Sequence, residues 1–437
     1  MNKEKEYLAL KKWDGKENLN YPIHVMIEVS NACNIRCAMC NIFSPFSSCD
    51  IYPSKDDAFI DVSLIKKNFS FIKHAYYISL FGYGEPLIHP HFTEILNILS
   101  KSKAFMTFFT NGQLLSPEMA KLLVDKNIGK ITISFSGTDK ETYENIYIGA
   151  RFEKTLENIK YLSTYKKREG KLYPIIEVSS VGFQKHVEKL DEFVILMNEA
   201  GVNHIRLNPL YEYSDSIPEL YRQSCVVTPK EKSIIDKAKQ FCQDHNIFFE
   251  DNLSGYYSSI NNTFTEEELR DILSGSTNED KEKTDLYSFK NSLNLRIKKN
   301  TMPFHEYYKR ETHFSYCDPD GCYTDYNFKC YAEEELRCTQ PHTVMYIRQD
   351  GSIKPCCNFP VPEKSDKYKL LGSLKSEKAN KVWRGNSFKI LRNNADHFCY
   401  PEACMNCIKV KAQPPENAYE DILATWNAYY SCVYKSN

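Results

Sequence analysis

Cys33, Cys37 and Cys40 lie within eight residues as Cys-Asn-Ile-Arg-Cys-Ala-Met-Cys, directly after the apolar, strand-like run His24–Ser30. Three thiolates at this spacing can hold three irons of a four-iron cluster and leave the fourth iron without a protein ligand. Chemistry would begin at that open iron. The same residue types also admit a zinc site or three reduced, packed thiols, so the surrounding sequence must decide.

A second field of cysteines lies far along the chain. Of 16 cysteines in 437 residues, four fall in 33–49, two stand apart as Cys225 and Cys242, and ten lie between Cys317 and Cys432. The first residues, Met-Asn-Lys-Glu-Lys-Glu-Tyr, contain no apolar signal core, and no apolar run is long enough to span a bilayer. These features predict a soluble, cytoplasmic protein without a membrane partner. Thiols stay reduced in that compartment, and cysteines at short spacings read there as metal ligands. The 56 Lys and Arg against 57 Asp and Glu give a net charge of -1. That balance argues against nucleic acid as a partner.

The elements that must carry these residues alternate. Strand-like segments are Ile23–Val29, Tyr76–Phe81, Ala104–Phe109, Lys130–Phe135, Pro174–Ser180 and Asn203–Asn208. Helical periodicity runs through Ser63–His74, His91–Lys101, Pro117–Asp125, Phe152–Tyr165 and Val187–Ala200. This alternation predicts an α/β fold, a partial (β/α)6 barrel, with reactive groups on the loops after the strands. The first strand leads to the triplet, the second to Gly82-Tyr-Gly-Glu-Pro86, the third to Thr110-Asn-Gly112, and the fourth ends in Ser134-Phe-Ser-Gly137. Pro229–His245 reads as a further helix and Ile247–Glu250 as a short strand. The predicted organisation is an N-terminal extension over 1–22, a core domain over 23–250, a mostly helical polar bridging segment over 251–316, a cysteine-rich domain over 317–411 and a C-terminal helix over 412–437. Turns such as Arg348-Gln-Asp-Gly351 predict a hairpin in the cysteine-rich part.

Over about 23–250 the motifs resemble those of the radical S-adenosylmethionine (SAM) enzymes. In order they are the cysteine triplet, Gly84-Glu85-Pro86, Ser134 to Gly137, Tyr143-Glu-Asn-Ile146 and Gly149-Ala-Arg-Phe-Glu153. The resemblance implies a [4Fe-4S] cluster on Cys33, Cys37 and Cys40 whose open iron is chelated by the amino and carboxylate groups of SAM. Electron transfer then cleaves the sulfonium to methionine and a 5′-deoxyadenosyl radical that abstracts a substrate hydrogen. It implies that Gly84, Glu85 and Pro86 contact the methionine amino group, with Gly82 and Gly84 letting the backbone come close to the ligand. Ser134 and Ser136 would lie near the ribose or carboxylate, and Asn111 is a further candidate contact. Met39 stands where the family commonly has an aromatic residue near adenine; a polarizable thioether can serve. His186 is an uncertain counterpart of an Asn found after the fifth strand and is not read as catalytic.

Cys338, Gly351, Cys356 and the pair Cys404 and Cys407 resemble the SPASM auxiliary-cluster domain, or its shorter twitch form. Asp350, Leu371-Gly-Ser373, Trp383 and Phe388 to Arg392 support the likeness. The resemblance implies one auxiliary [4Fe-4S] cluster on Cys338, Cys356, Cys404 and Cys407. Gln413 and Asn417 stand where the full form has further cysteines, which leaves a second auxiliary cluster open. A four-thiolate zinc ribbon is the alternative at the same spacing. Cys317, Cys322 and Cys330 could ligate a further cluster with a distant partner such as Cys399, Cys317 and Cys322 could donate hydrogen to a substrate radical, or the three could merely sit in an irregular loop. Cys49, Cys225, Cys242 and Cys432 read as packing thiols.

The resulting expectation is a radical SAM oxidoreductase or modifying enzyme acting on a ribosomally synthesised peptide or protein, with an electron donor such as flavodoxin or ferredoxin. A dehydrogenase or epimerase of a carbohydrate-like small molecule is the alternative. A non-catalytic iron–sulfur or zinc scaffold is the alternative of another class.

Overall fold

The structure is a computed structural model of the chain. It describes residues 18–47, 58–210, 217–221, 224–254, 338–357, 359 and 371–396, part of 423–434, and the backbone of strands within 308–331 and 399–401.

β1 (His24–Ile27) leads through a loop into the two-residue β2 (Arg36–Cys37). β3 (Tyr77–Leu80), β4 (Phe105–Thr110) and β5 (Lys130–Ser134) follow, then the short β6 (Tyr147–Ile148), then β7 (Ile175–Val181), β8 (His204–Asn208) and β9 (Phe248–Asp251). Helices return the chain between them at Val62–Ile72, Phe92–Leu99, Pro117–Asp125, Phe152–Arg168, Leu190–Glu199 and Pro229–Asp244. The sequence explains these elements locally. Phe92, Ile95, Leu96 and Leu99 make one buried stripe at helical spacing. Ser116 caps Pro117–Asp125 by accepting the Met119 N–H, and Thr228 with Glu231 forms a capping box ahead of Pro229–Asp244.

After β10 (Tyr308–Cys317) and β11 (Tyr323–Tyr331) come β12 (Val344–Ile347), β13 (Ser352–Lys354), β14 (Gly372–Ser373) and β15 (Cys399–Pro401). The main sheet has the order β14-β13-β12-β1-β3-β4-β5-β7-β8-β9, parallel from β12 to β9, with β13 and β14 antiparallel at one edge. The hairpin of the cysteine-rich region therefore continues the same sheet, with His24 to Ile27 paired against Val344 to Ile347. Residues 308–316 correct the expectation of a helical bridge. They form most of a ten-residue strand paired with β11, favoured by the alternation Thr312, Phe314, Tyr316 with His313 and Ser315. Residues 255–307 lie outside the described part.

The helices cover one face of the sheet, where Ile78, Leu80, Phe108, Ile131, Ile133, Ile176, Val178, Ile205 and Leu207 join a single core cluster with residues such as Ile65, Leu96, Leu123, Leu162 and Phe193. Alternate strand positions carry polar groups on the opposite face. Glu177 accepts from Lys130 at 2.7 Å, Thr132 at 2.9 Å, His204 at 2.9 Å and Arg206 at 3.2 Å. At the amino-terminal ends of the strands, Trp426 packs on Tyr76 with Ile23 and Leu423, and its indole N–H donates to the Lys103 carbonyl at 3.1 Å. Tyr429 donates to the Asn127 carbonyl at 2.7 Å. Residues from the C-terminal end of the chain thus seal the end of the sheet away from the triplet.

Trp426→Ala should lower unfolding stability by about 3–5 kcal/mol, read from denaturant midpoints, because it empties a large buried volume and orphans a carbonyl. Burial alone would raise the Glu177 carboxyl, but His204, Lys130 and Arg206 outweigh it and hold it down from the ordinary 4.5 to about 2. Its contribution to stability is complete above 4.5 and lost as pH falls toward about 2. The stability–pH curve of Glu177→Gln should be flatter across that window.

Candidate metal centre

The triplet loop is fastened at several points by backbone bonds. Within β2, Arg36 lies opposite Ile148 and Cys37 opposite Tyr147, and the Ala38 N–H donates to the Ile146 carbonyl at 2.8 Å. The segment Tyr143–Gly149, visible in the sequence only as a motif, is therefore the strip against which the cysteine loop is hydrogen-bonded. Gly149 sits at φ +89°, a left-handed conformation that suits glycine, directly after β6. The Arg36 guanidinium donates to the carbonyls of Cys33 at 2.7 Å and Ile35 at 2.9 Å and lies 5.8 Å over the Phe43 ring.

All three thiols are half-buried, and Met39 packs against the core beside them. The Cys40 Sγ accepts from the Phe43 N–H at 3.3 Å, and Asn111 Nδ2 lies 3.9 Å from the Cys33 Sγ. Burial pushes the Cys33 thiol up to about 11, with Glu85 and Cys40 adding like charge. Burial, Cys40 and Cys33 push Cys37 up as well. Three half-buried thiols that act on one another and resist becoming bare thiolates suit a cationic iron cluster, which would deprotonate them; the Phe43 amide is the kind of donor that supports a ligated sulfur.

The turn after β3 is tied to the same loop. Gly84 N–H donates to the Ser30 carbonyl at 3.2 Å and Glu85 N–H to the Ala32 carbonyl at 2.8 Å. A Cβ on Gly84 would stand 2.3 Å from the Ala32 oxygen, and one on Gly82 would stand 2.3 Å from Glu28 Cγ. These glycines make room for the triplet loop and for Glu28, a role within the protein beside the expected close approach to a ligand. The Glu85 carboxylate is likewise engaged within the protein. It is buried and accepts from Thr110 Oγ1 at 2.7 Å, Leu87 N–H at 3.1 Å and Asn111 N–H at 2.7 Å, and burial raises it to about 7. Its side chain binds the third loop to the second, so the backbone of Gly84, Glu85 and Pro86 is what this turn offers a ligand. Pro86 is buried and opens the 3-10 turn Pro86–Ile88.

Asn111 donates to Asn34 Oδ1 at 2.8 Å and accepts the Gln113 N–H at 3.0 Å, which joins the Thr110–Gly112 loop to the triplet. Ser134 is half-buried at the end of β5. Ser136 is fully buried; its hydroxyl accepts the Val181 N–H at 2.9 Å and is 3.1 Å from the Tyr147 hydroxyl. His186 accepts the Gly137 N–H on Nδ1 at 3.0 Å, bonds Ser180 through Nε2, and is lowered by burial to about 3. It is a neutral buried imidazole that holds the Ser136–Gly137 turn. A cavity of about 500 Å³ lies alongside, lined by Asn145, Phe183, Gln184, His186, Tyr221 and Val226. Phe46, from the loop after the triplet, stacks on Tyr221 with ring centroids 6.4 Å apart.

In the second field, pairing of Tyr346 with Lys354 returns the chain so that Cys356 comes back toward the start of β12, and Cys338 precedes the short helix Gln340–Thr343 that leads into β12. Gly351, at φ +84°, and the Asp350 carboxylate, accepting the Ser352 N–H at 2.8 Å, form the turn. Cys356 packs against the core and Cys357 is exposed. Arg392 donates to the carbonyls of Pro341 at 2.9 Å and Trp383 at 3.0 Å, tying the helix Asn386–Asp396 to the element that follows Cys338. Cys404, Cys407 and Cys322 lie outside the described residues, and Cys317 is described in its backbone alone. Cys225 and Cys242 are buried in the core.

Sequence reasoning missed Glu28. Its one signal was a carboxylate interrupting the apolar run His24-Val-Met-Ile before the triplet. Among the described residues, no helix is long and apolar enough to cross a membrane.

Comparison with known proteins agrees with this geometry. The model of the radical SAM superfamily matches residues 27–190, and that of an iron–sulfur cluster-binding domain, SPASM, matches residues 338–408. The chain is 26% identical over 191 residues to the tungsten-containing aldehyde ferredoxin oxidoreductase cofactor-modifying protein of Pyrococcus furiosus, covering 43% of this chain and 51% of that protein. It is 24% identical over 210 residues to the mycofactocin maturase MftC of Mycobacterium tuberculosis, covering 47% and 50%. The alignments thus span about half the length of these relatives. In fold alone, it resembles Streptococcus suis SuiB bound to precursor peptide SuiA, with a TM-score of 0.51 at 15% identity over 89% of this chain and 70% of that one. With both domain models matched in order, the chain belongs to the radical SAM superfamily and carries a C-terminal SPASM domain.

Proposed function

We propose that this protein is a radical SAM enzyme that modifies a ribosomally synthesised peptide or protein. The observation that carries the reading is a loop bearing three half-buried thiols that is hydrogen-bonded both to β6 and to the Gly84–Glu85 turn. Cys33, Cys37 and Cys40 hold a [4Fe-4S] cluster with one iron left for SAM. When bound, cluster and SAM together supply the one-electron cleavage that yields a hydrogen-abstracting radical.

The protein's own groups bind, orient and shield. Backbone atoms of Gly84, Glu85 and Pro86 meet the methionine end of SAM, Met39 packs beside the adenine, and Ser134 and Asn111 border the remaining polar groups. Glu85 keeps that backbone in place through its bonds to Thr110, Leu87 and Asn111. Cys338 and Cys356, with Cys404 and Cys407, hold the auxiliary cluster; the packed position of Cys356 against the exposed one of Cys357 supports that choice. The peptide assignment is supported by a relative that is a maturase and by a fold neighbour solved with a precursor peptide.

Replacing Cys33, Cys37 or Cys40 by Ala should abolish formation of 5′-deoxyadenosine from SAM while the far-UV spectrum and unfolding midpoint stay near wild type. Iron in the anaerobically reconstituted protein should fall from about eight per chain to about four. A triple variant that still cleaves SAM overturns the assignment. Zinc bound in the C-terminal site overturns the auxiliary cluster.

A further inference from the structure

Glu28 is the residue after β1 and is fully buried. Its N–H donates to the Ile347 carbonyl at 2.8 Å, and the pairing of Ile27 with Ile347 sets Glu28 level with Arg348 at the end of β12. One carboxylate oxygen, Oε1, accepts the Tyr83 N–H at 3.0 Å. The other, Oε2, makes no hydrogen bond and lies 3.9 Å from Arg348 Nε. Arg348 also reaches Asp350 at 3.3 Å, within the turn that leads through β13 toward Cys356. On β13 itself, Lys354 donates to the carbonyls of Cys357 and Phe359, each at 3.1 Å, and its charge acts on Glu28. Gly82 has no side chain where Glu28 Cγ would collide with one.

One carboxylate thus touches the turn that faces the triplet and the hairpin that leads to the second cysteine field. We propose that Glu28 is a positioning residue through which Arg348 of the C-terminal hairpin sets the Gly82–Gly84 turn, and with it the affinity of the site for SAM. The inference rests on SAM binding beside the triplet. An orphaned carboxylate oxygen beside a guanidinium that it does not hydrogen-bond means that charge, with shape, holds the contact. Tyr83 is fixed through its backbone N–H, and its ring is exposed.

Equilibrium binding of SAM to the reconstituted full-length protein tests this, with iron content and unfolding midpoint measured alongside. Glu28→Ala and Arg348→Met should each weaken SAM binding by about tenfold, a size typical of coupling between sites. The double variant Glu28→Ala with Arg348→Met should bind no more weakly than the worse single variant. Arg348→Lys should recover part of the loss. Unchanged SAM affinity in the single variants, or losses that multiply in the double variant, overturns the coupling while leaving the enzyme assignment standing. A wild-type protein that binds no SAM overturns both.

Discussion

The backbone attachment of the triplet loop is the constraint on which the rest depends. Three thiols that repel one another as thiolates stay close only if the chain bearing them is held from outside. Here the holding is done by the β2–β6 pairing, by the Gly84 and Glu85 amides on the carbonyls of Ser30 and Ala32, and by the Arg36 clamp. Each is a bond to or from the main chain, and of the three only the Arg36 clamp depends on a side chain. Elements far apart in sequence acquire one purpose, because the exits of β1, β3 and β4 and the strip around β6 all brace eight residues.

A division of labour follows across the sheet. The helix-covered face is apolar and supplies stability, whereas the other face bears the compensated network around Glu177 and Arg206. Aromatic residues at the C-terminal end of the chain close the amino-terminal end of the strands, leaving the opposite end for chemistry. The hairpin of the SPASM domain does not merely follow the core but extends its sheet from β1, the strand that delivers the triplet. The two cysteine fields are thus mechanically continuous through a single pair of strands.

Much of this was legible in the sequence. The alternation of apolar runs and helical periodicity located the six principal strands, since buried parallel strands read as short continuous apolar stretches. The cysteine spacing and the Gly-Glu-Pro turn identified the candidate site. What the residues around that turn do was less accessible. Gly82, Gly84, Glu85 and Ser136 were read as facing a ligand, yet the close neighbours of the first three are Glu28, the Ser30–Ala32 backbone and the Thr110–Asn111 segment, and Ser136 is buried under Val181 and Tyr147. A motif marks positions that cannot vary without saying whether a cofactor or another loop enforces them. The strand at 308–317 was missed because its polar composition hides a two-residue alternation.

The central claim is that one iron, unligated by protein, meets SAM at Cys33, Cys37 and Cys40. The most direct test is electron–nuclear double resonance on the reduced, reconstituted protein with SAM labelled by nitrogen-15 at its amino group. A resolved coupling from that nitrogen to the cluster, absent from Cys37→Ala, is the predicted result. A reduced cluster whose spectrum is unchanged by bound SAM would contradict the account.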